Sequence, residues 1–149
     1  MMNCGYQIRF LCLLAVTVFL SGSVFGRPLV VAHRGASHDA PENTMRAFDR
    51  AWDLGADGIE GDFRLTKDGH IVAMHDADTM RVTGGSANLN VASSTLAELR
   101  GLDVGKWKGE RFSGERMPTF AEIIKSVPKG KKFFIEIKCG LEIMKPMHA

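Results

Sequence analysis

The stretch LVVAHRGASHDAPENTMRAFDRAWDLGADGIEGD, residues 29–62, decides the fold. It opens on Leu29-Val30-Val31-Ala32-His33, a short continuous apolar run of the kind that suits a strand buried on both faces. A loop follows from Gly35 to Pro41. Met45, Phe48, Ala51 and Trp52 then form one apolar stripe, which predicts a helix from about Asn43 to Leu54. Asn43 or Thr44 can cap its start, and Gly55 stops it. Ala56 to Asp62 reads as the second strand. Strand, helix and strand in that order make the unit from which parallel sheets are built.

Working outward, Asp68-Gly69 is a tight-turn signal between Phe63-Arg64-Leu65-Thr66 and Ile71-Val72-Ala73-Met74. If Glu60 and Asp62 share a rim with His75, that turn belongs at the opposite end of the sheet. Phe63 to Lys67 then runs back down, and Ile71 to His75 runs up as a third strand. Asp78 to Met117 is long and loop-rich, and a connection of that length inside a compact domain is usually functional. It holds one helix signal, Thr95-Leu96-Ala97-Glu98, with capping-box spacing. A second capping box, Thr119 to Glu122, starts a helix that ends near Pro128. Lys132 to Lys138 reads as a fourth, buried strand.

The chain has 149 residues and an apolar fraction of 45%, which suits one globular domain. Its beginning reads differently. Arg9, the apolar run Phe10 to Leu20, and the small residues around Val24 and Gly26 have the layout of a secretory signal peptide. The expected organisation is a signal over 1–26, cut after Gly26, and one domain over 27–149. The apolar run is too short for a stable membrane anchor, since spanning takes about 20 apolar residues. Export to the periplasm or the outside follows. Cys4 and Cys12 leave with the signal, and Cys139 cannot form an internal disulfide alone. It reads as a small apolar residue. The formal charge is +2, and the basic residues Lys129, Lys131 and Lys132 form a short cluster with no interleaved aromatics. Nucleic acid is therefore not an expected partner.

Four short segments carry the chemistry: His33-Arg34-Gly35, Glu60-Gly61-Asp62, His75-Asp76 and Glu136-Ile137-Lys138. A parallel strand array gathers the C-terminal ends of its strands at one rim, so residues far apart in sequence meet there. Glu60 and Asp62 are two apart on a strand and project to one face, as do Glu136 and Lys138. Carboxylates without a Cys ligand favour a hard, oxygen-preferring ion, Mg²⁺ or Ca²⁺, with zinc through His33 or His75 the weaker alternative. Two histidines flanking those acids suit hydrolysis of a phosphodiester. One takes a proton from the nucleophile, and the other gives one to the leaving alkoxide. Arg34 and Lys138 suit the non-bridging phosphate oxygens. Asp76 can orient His75 or start a turn. Glu42 and Asn43 read as capping residues, and His38, His70 and His148 have no comparable context and stay unassigned.

Taken in order, His33-Arg34-Gly35, Pro41-Glu42-Asn43-Thr44, Gly55 to Asp62, Leu65 to Gly69, His75-Asp76, Thr95 to Leu99, Arg116 to Phe120 and Glu136-Ile137-Lys138 resemble the glycerophosphodiester phosphodiesterase family. The resemblance runs from about Leu29 to Cys139. It implies an α/β fold, the TIM (β/α)₈ barrel of phosphodiesterase type, and hydrolysis of glycerophosphodiesters to glycerol 3-phosphate and an alcohol. By match, His33 and His75 take the acid/base roles, Glu60, Asp62 and Glu136 take the divalent cation, and Arg34 and Lys138 contact the phosphate. Such a barrel takes about 250 residues. The expectation here is its N-terminal half, the first four strands, with impaired activity and self-association through open sheet edges. A non-enzymatic remnant is one rival. Another is a sphingomyelinase D-like phospholipase on the same fold, which the lack of paired cysteines in the mature chain disfavours.

Overall fold

The computed structural model describes residues 27–147, and the signal peptide expected over 1–26 lies outside them. Four strands form one sheet around β2 (Gly58–Leu65). Along one edge of β2 lies β1 (Val31–Ala32), parallel, with Ala32 opposite Ile59. Along the other lies β4 (Lys132–Ile137), also parallel, with Asp62 opposite Glu136. The alternation of β2 sorts its side chains. Ile59 and Phe63 are fully buried against helices, whereas Glu60, Asp62 and Arg64 project to the opposite face.

Helix α1 (Met45–Asp53) returns the chain from β1 to β2. Thr44 caps it by accepting a hydrogen bond from the Ala47 N–H, and Gly55 ends it in the left-handed region at φ 80°. Its core-facing side holds the stripe expected from sequence, Phe48 and Ala51 fully buried and Met45 and Trp52 partly so, with Ala47 added. Phe48 and Ala51 meet Ile59, Phe63 and Ile123, the last from α3 (Phe120–Ser126). Phe63 packs edge-on against Phe120 and Phe133, with ring centroids 5.1 and 5.7 Å away. Full burial of a side chain such as Phe63 contributes about 1.5–3 kcal/mol over leaving it exposed.

The third strand, β3 (Ile71–Ala73), runs against the expected direction. It pairs antiparallel with β2, Phe63 opposite Ala73 and Leu65 opposite Ile71. The second strand does not turn back after Asp62. It continues three residues further, to Leu65, and the Asp68-Gly69 turn lies beyond the rim. The chain therefore brings His75 to the rim from above. The physical reason is the hairpin itself, since a tight turn joins antiparallel strands and keeps them hydrogen-bonded.

The reading of Leu29 to His33 and Lys132 to Lys138 as buried runs fails, whereas the expected open sheet edges are present. Leu29 and Val30 are 53% and 59% exposed, and Phe134, Ile135 and Ile137 of β4 are 44%, 42% and 39% exposed. Both strands lie at edges; Ala32 and Phe133 pack against the core, and the other apolar side chains stay open to solvent among the described residues. The long connection, in contrast, is well built. It folds over a second core of Val72, Met74, Val82, Val91, Leu99, Val104 and Met117, and includes α2 (Leu96–Arg100). Asp103 fastens it by accepting the N–H groups of Gly105, Lys106 and Gly114 and the Ser113 hydroxyl. The last described helix, α4, covers Met144–Met147.

Candidate active site

Glu60 and Asp62 lie on one face of β2, and the β4 register sets Glu136 beside Asp62. One carboxylate oxygen from each falls within 4.8 Å of the others. Asp62 is fully buried, Glu60 half-buried and Glu136 exposed. Burial pushes the Glu60 carboxyl above its ordinary range, and the charges of Asp62 and Glu136 push the same way. The Arg34 N–H, donated to Glu60 at 2.9 Å, opposes this in part. Glu60 Oε1 and Asp62 Oδ1 are buried and accept no hydrogen bond among the described residues. Converging acids with unsatisfied inward oxygens fit a hard divalent cation by charge and by donor type.

Asp62 is held by a residue that reads from sequence as a cap. Asn43 donates its amide N–H to Asp62 Oδ2 at 2.8 Å, and the Asp62 N–H returns to Asn43 Oδ1 at 3.2 Å. Asn43 is buried, with φ at 57°, a left-handed conformation Asn tolerates well. Capping falls to Thr44 instead.

The basic residues converge on the same acids. Arg34 places Nε 3.1 Å from Asp62 Oδ2 and Nη1 3.1 Å from Glu42 Oε1. Lys138 sets Nζ 3.3 Å from Asp62 Oδ1 and donates to Glu136. That contact holds the Glu136 carboxyl below its ordinary range, and Glu136 in turn raises the Lys138 ammonium. His33 is two-thirds exposed, with Nε2 3.9 Å from Glu60. The loop after it turns at Gly35, where φ is 73° and a Cβ would fall 2.6 Å from the Ala47 carbonyl carbon. Only glycine fits there.

His75 reaches the rim by a different route. Its carbonyl accepts Nε and Nη2 of Arg64, at 3.1 and 2.8 Å, and Arg64 shares the β2 face with the acids. Its Nδ1 lies 2.7 Å from Asp76 Oδ1, so Asp76 orients the ring. Asp76 in turn meets Arg81, which also grips Glu42. Sequence reasoning missed Arg64, Arg81 and the role of Glu42. The alternation of β2 could have found Arg64, two residues after Asp62, but nothing local marks the others. His38 and His70 stand apart from the site, each beside an exposed aspartate.

Residues 33–147 match the Glycerophosphoryl diester phosphodiesterase family. A glycerophosphodiester phosphodiesterase of Caldanaerobacter subterraneus subsp. tengcongensis is 50% identical over 118 residues, which cover 77% of this chain and 47% of that protein. One from Bacillus subtilis is 38% identical over 120 residues, covering 75% and 40%. Among solved structures, an Oleispira antarctica phosphodiesterase in complex with the product sn-glycerol-3-phosphate superposes at TM-score 0.72 and 35% identity, over 80% of this chain and 48% of that one. The glycerophosphodiester phosphodiesterase of Agrobacterium tumefaciens gives 0.69 at 35% identity, over 73% and 46%. The chain thus spans about half the length of the curated relatives it matches. The sheet and helices described above are part of the α/β barrel of these enzymes. On the extent of the match and on this likeness of structure, the chain belongs to the glycerophosphoryl diester phosphodiesterase family.

Proposed function

We propose that this chain carries the metal-dependent half of a site that hydrolyses glycerophosphodiesters to glycerol 3-phosphate and an alcohol. The observation that carries the reading is the convergence of Glu60, Asp62 and Glu136, where buried Glu60 Oε1 accepts no hydrogen bond among the described residues and buried Asp62 Oδ1 meets only the Lys138 ammonium. These three residues would hold a divalent cation, Mg²⁺ or Ca²⁺. When bound, such an ion neutralises charge on a phosphoryl oxygen and helps fix the diester.

The chain's own residues supply the rest. Arg34 and Lys138 already face the acid group and bring two positive charges to the phosphate position. Water is consumed as a P–O bond forms to the nucleophile and the P–O bond to the alcohol breaks. Of His33 and His75, one accepts the nucleophile's proton and the other donates a proton to the departing alkoxide. His75 is fixed at its carbonyl and at Nδ1, which leaves Nε2 as its working nitrogen. Asn43 keeps the Asp62 carboxylate turned toward the site.

Two measurements test this. Titration calorimetry of residues 27–149 with Mg²⁺ and with Ca²⁺ should show a site that Asp62→Ala abolishes. Hydrolysis of glycerophosphocholine by the full-length protein should stop in excess chelator. Undiminished turnover in chelator would overturn the metal role.

We also infer export, on the layout of residues 1–26 alone. Mass spectrometry of the exported protein should find Arg27 as the first residue. An intact Met1 confined to the cytoplasm would sink that reading.

A further inference from the structure

Asp76 is held from two sides. His75 Nδ1 lies 2.7 Å from its Oδ1, and Arg81 Nε donates to its Oδ2 at 2.7 Å. The remaining donors of Arg81 are also used. Nη1 and Nη2 form a fork onto Glu42, both at 2.8 Å, and Glu42 also accepts from Arg34. The guanidinium stands 5.8 Å from the centre of the Trp107 ring. One side chain of the long connection thus joins three segments: the loop before α1, the turn after β3, and the residues around Trp107.

We propose that Arg81 is a positioning residue that fixes the orientation and tautomer of His75 through Asp76. Arg81 Nε occupies Oδ2 and so turns Oδ1 toward His75 Nδ1, and a carboxylate, ionised at neutral pH, can only accept. The proton between Oδ1 and Nδ1 therefore belongs to the histidine. A neutral His75 is then the Nδ1–H tautomer, with the lone pair on Nε2. Arg64 holds the residue's carbonyl, so both ends of His75 are set. A fork onto one carboxylate plus a third bond to a second acid needs the planar donor array of arginine. Lysine can hold one of those acids at a time. Glu42 carries the same coupling to Arg34, because one carboxylate accepts from both arginines.

The proposal rests on the acid/base reading of His75, and its test separates the two. Long-range ¹⁵N–¹H spectra of the full-length protein, taken where the ring is neutral, report the tautomer without any turnover. The parent protein should show His75 as Nδ1–H. Arg81→Gln should move the ring toward the ordinary Nε2–H form, and Arg81→Lys should give a mixture. In the full-length enzyme, Arg81→Gln should lower kcat by about 10–100-fold, the usual weight of a second partner of a site histidine, with little change in KM. A parent ring found as Nε2–H would overturn the proposal. So would an unchanged tautomer in Arg81→Gln with a native amide spectrum. If Arg81→Gln does not fold, an Arg81→Lys ring identical to the parent has the same meaning. A full-length enzyme that turns over normally without His75, while the tautomer still follows Arg81, would sink the acid/base reading alone.

Discussion

Most charged side chains of the site have a partner that arrives from another part of the chain. Asp62 is shared by Asn43, Arg34 and Lys138, and Glu60 is held by the Arg34 N–H. The two histidines differ in this respect. His33 is exposed and loosely placed, whereas His75 is gripped at its carbonyl and at Nδ1. Replacing either by alanine should lower turnover of the full-length enzyme by about a hundredfold or more, with KM little changed. Near-parental turnover in both variants, read from steady-state kinetics, would make the histidines structural. The seven residues read from sequence as site residues come together because five lie just past or at the end of a strand and Glu60 and Asp62 share one face of β2. Arg81 was not legible, because its partner Glu42 is 39 positions away and no local pattern links them. Asn43 was misread for a related reason. It stands where a cap would, and only the packed sheet shows that its amide faces Asp62.

At the scale of elements, local rules worked where the deciding contacts are local. Both capping boxes form as read, Thr95 with Glu98 and Thr119 with Glu122. The Asp68-Gly69 hairpin was read correctly as a turn, but a turn signal does not say at which end of a sheet it sits. That depends on how far β2 runs before it ends. The long connection is the element whose order the composition hid, and Asp103 explains much of it. Burial pushes this carboxyl up, but the N–H groups of Gly114, Gly105 and Lys106 and the Ser113 hydroxyl outweigh it and hold it at about 2, below the ordinary 3.8. A lowered acid stabilises the folded state above its unfolded pKa and loses that contribution as pH falls through the folded one. The clasp should therefore be intact above about pH 4 and released toward pH 2. The amide shifts of Gly105, Lys106 and Gly114, followed by NMR, should titrate with a midpoint near 2. A midpoint near 3.8 would mean that these bonds do not form in solution.

For the whole molecule, the telling feature is what the sheet leaves uncovered. Among the described residues, β1 and β4 each present an edge and apolar side chains to solvent, Val30 on one side and Phe134, Ile135 and Ile137 on the other. Open edges invite pairing with another chain, and contiguous apolar patches are rare on monomers. Residues 27–149 made alone should therefore self-associate. Analytical ultracentrifugation should show dimers or larger species, and Ile135→Lys on β4 should shift them toward monomer. A monodisperse parent monomer that unfolds cooperatively would count against this. The parallel sheet was legible from the alternation of strand and helix signals, and the barrel class only from the resemblance to the family. Open sheet edges were also expected, from four strands where closure takes eight, but not which apolar side chains they leave bare, because an apolar run reads the same whether or not a neighbour covers it.

The continuity of β2 has one more consequence, for how the chain tolerates changes in length. Eight consecutive residues, Gly58 to Leu65, carry two acids of the site, the arginine that holds the His75 carbonyl, and two of the largest buried side chains. Their sorting depends on parity alone. One residue inserted between Glu60 and Asp62 would turn Asp62 and Arg64 toward the helices and Phe63 toward the site. The same insertion at Gly84-Gly85, in an exposed turn where both residues have positive φ, would only lengthen a loop. In this molecule, then, substitution and insertion probe different things. Side-chain identity at the site is backed by several partners, while spacing along this one strand has no substitute.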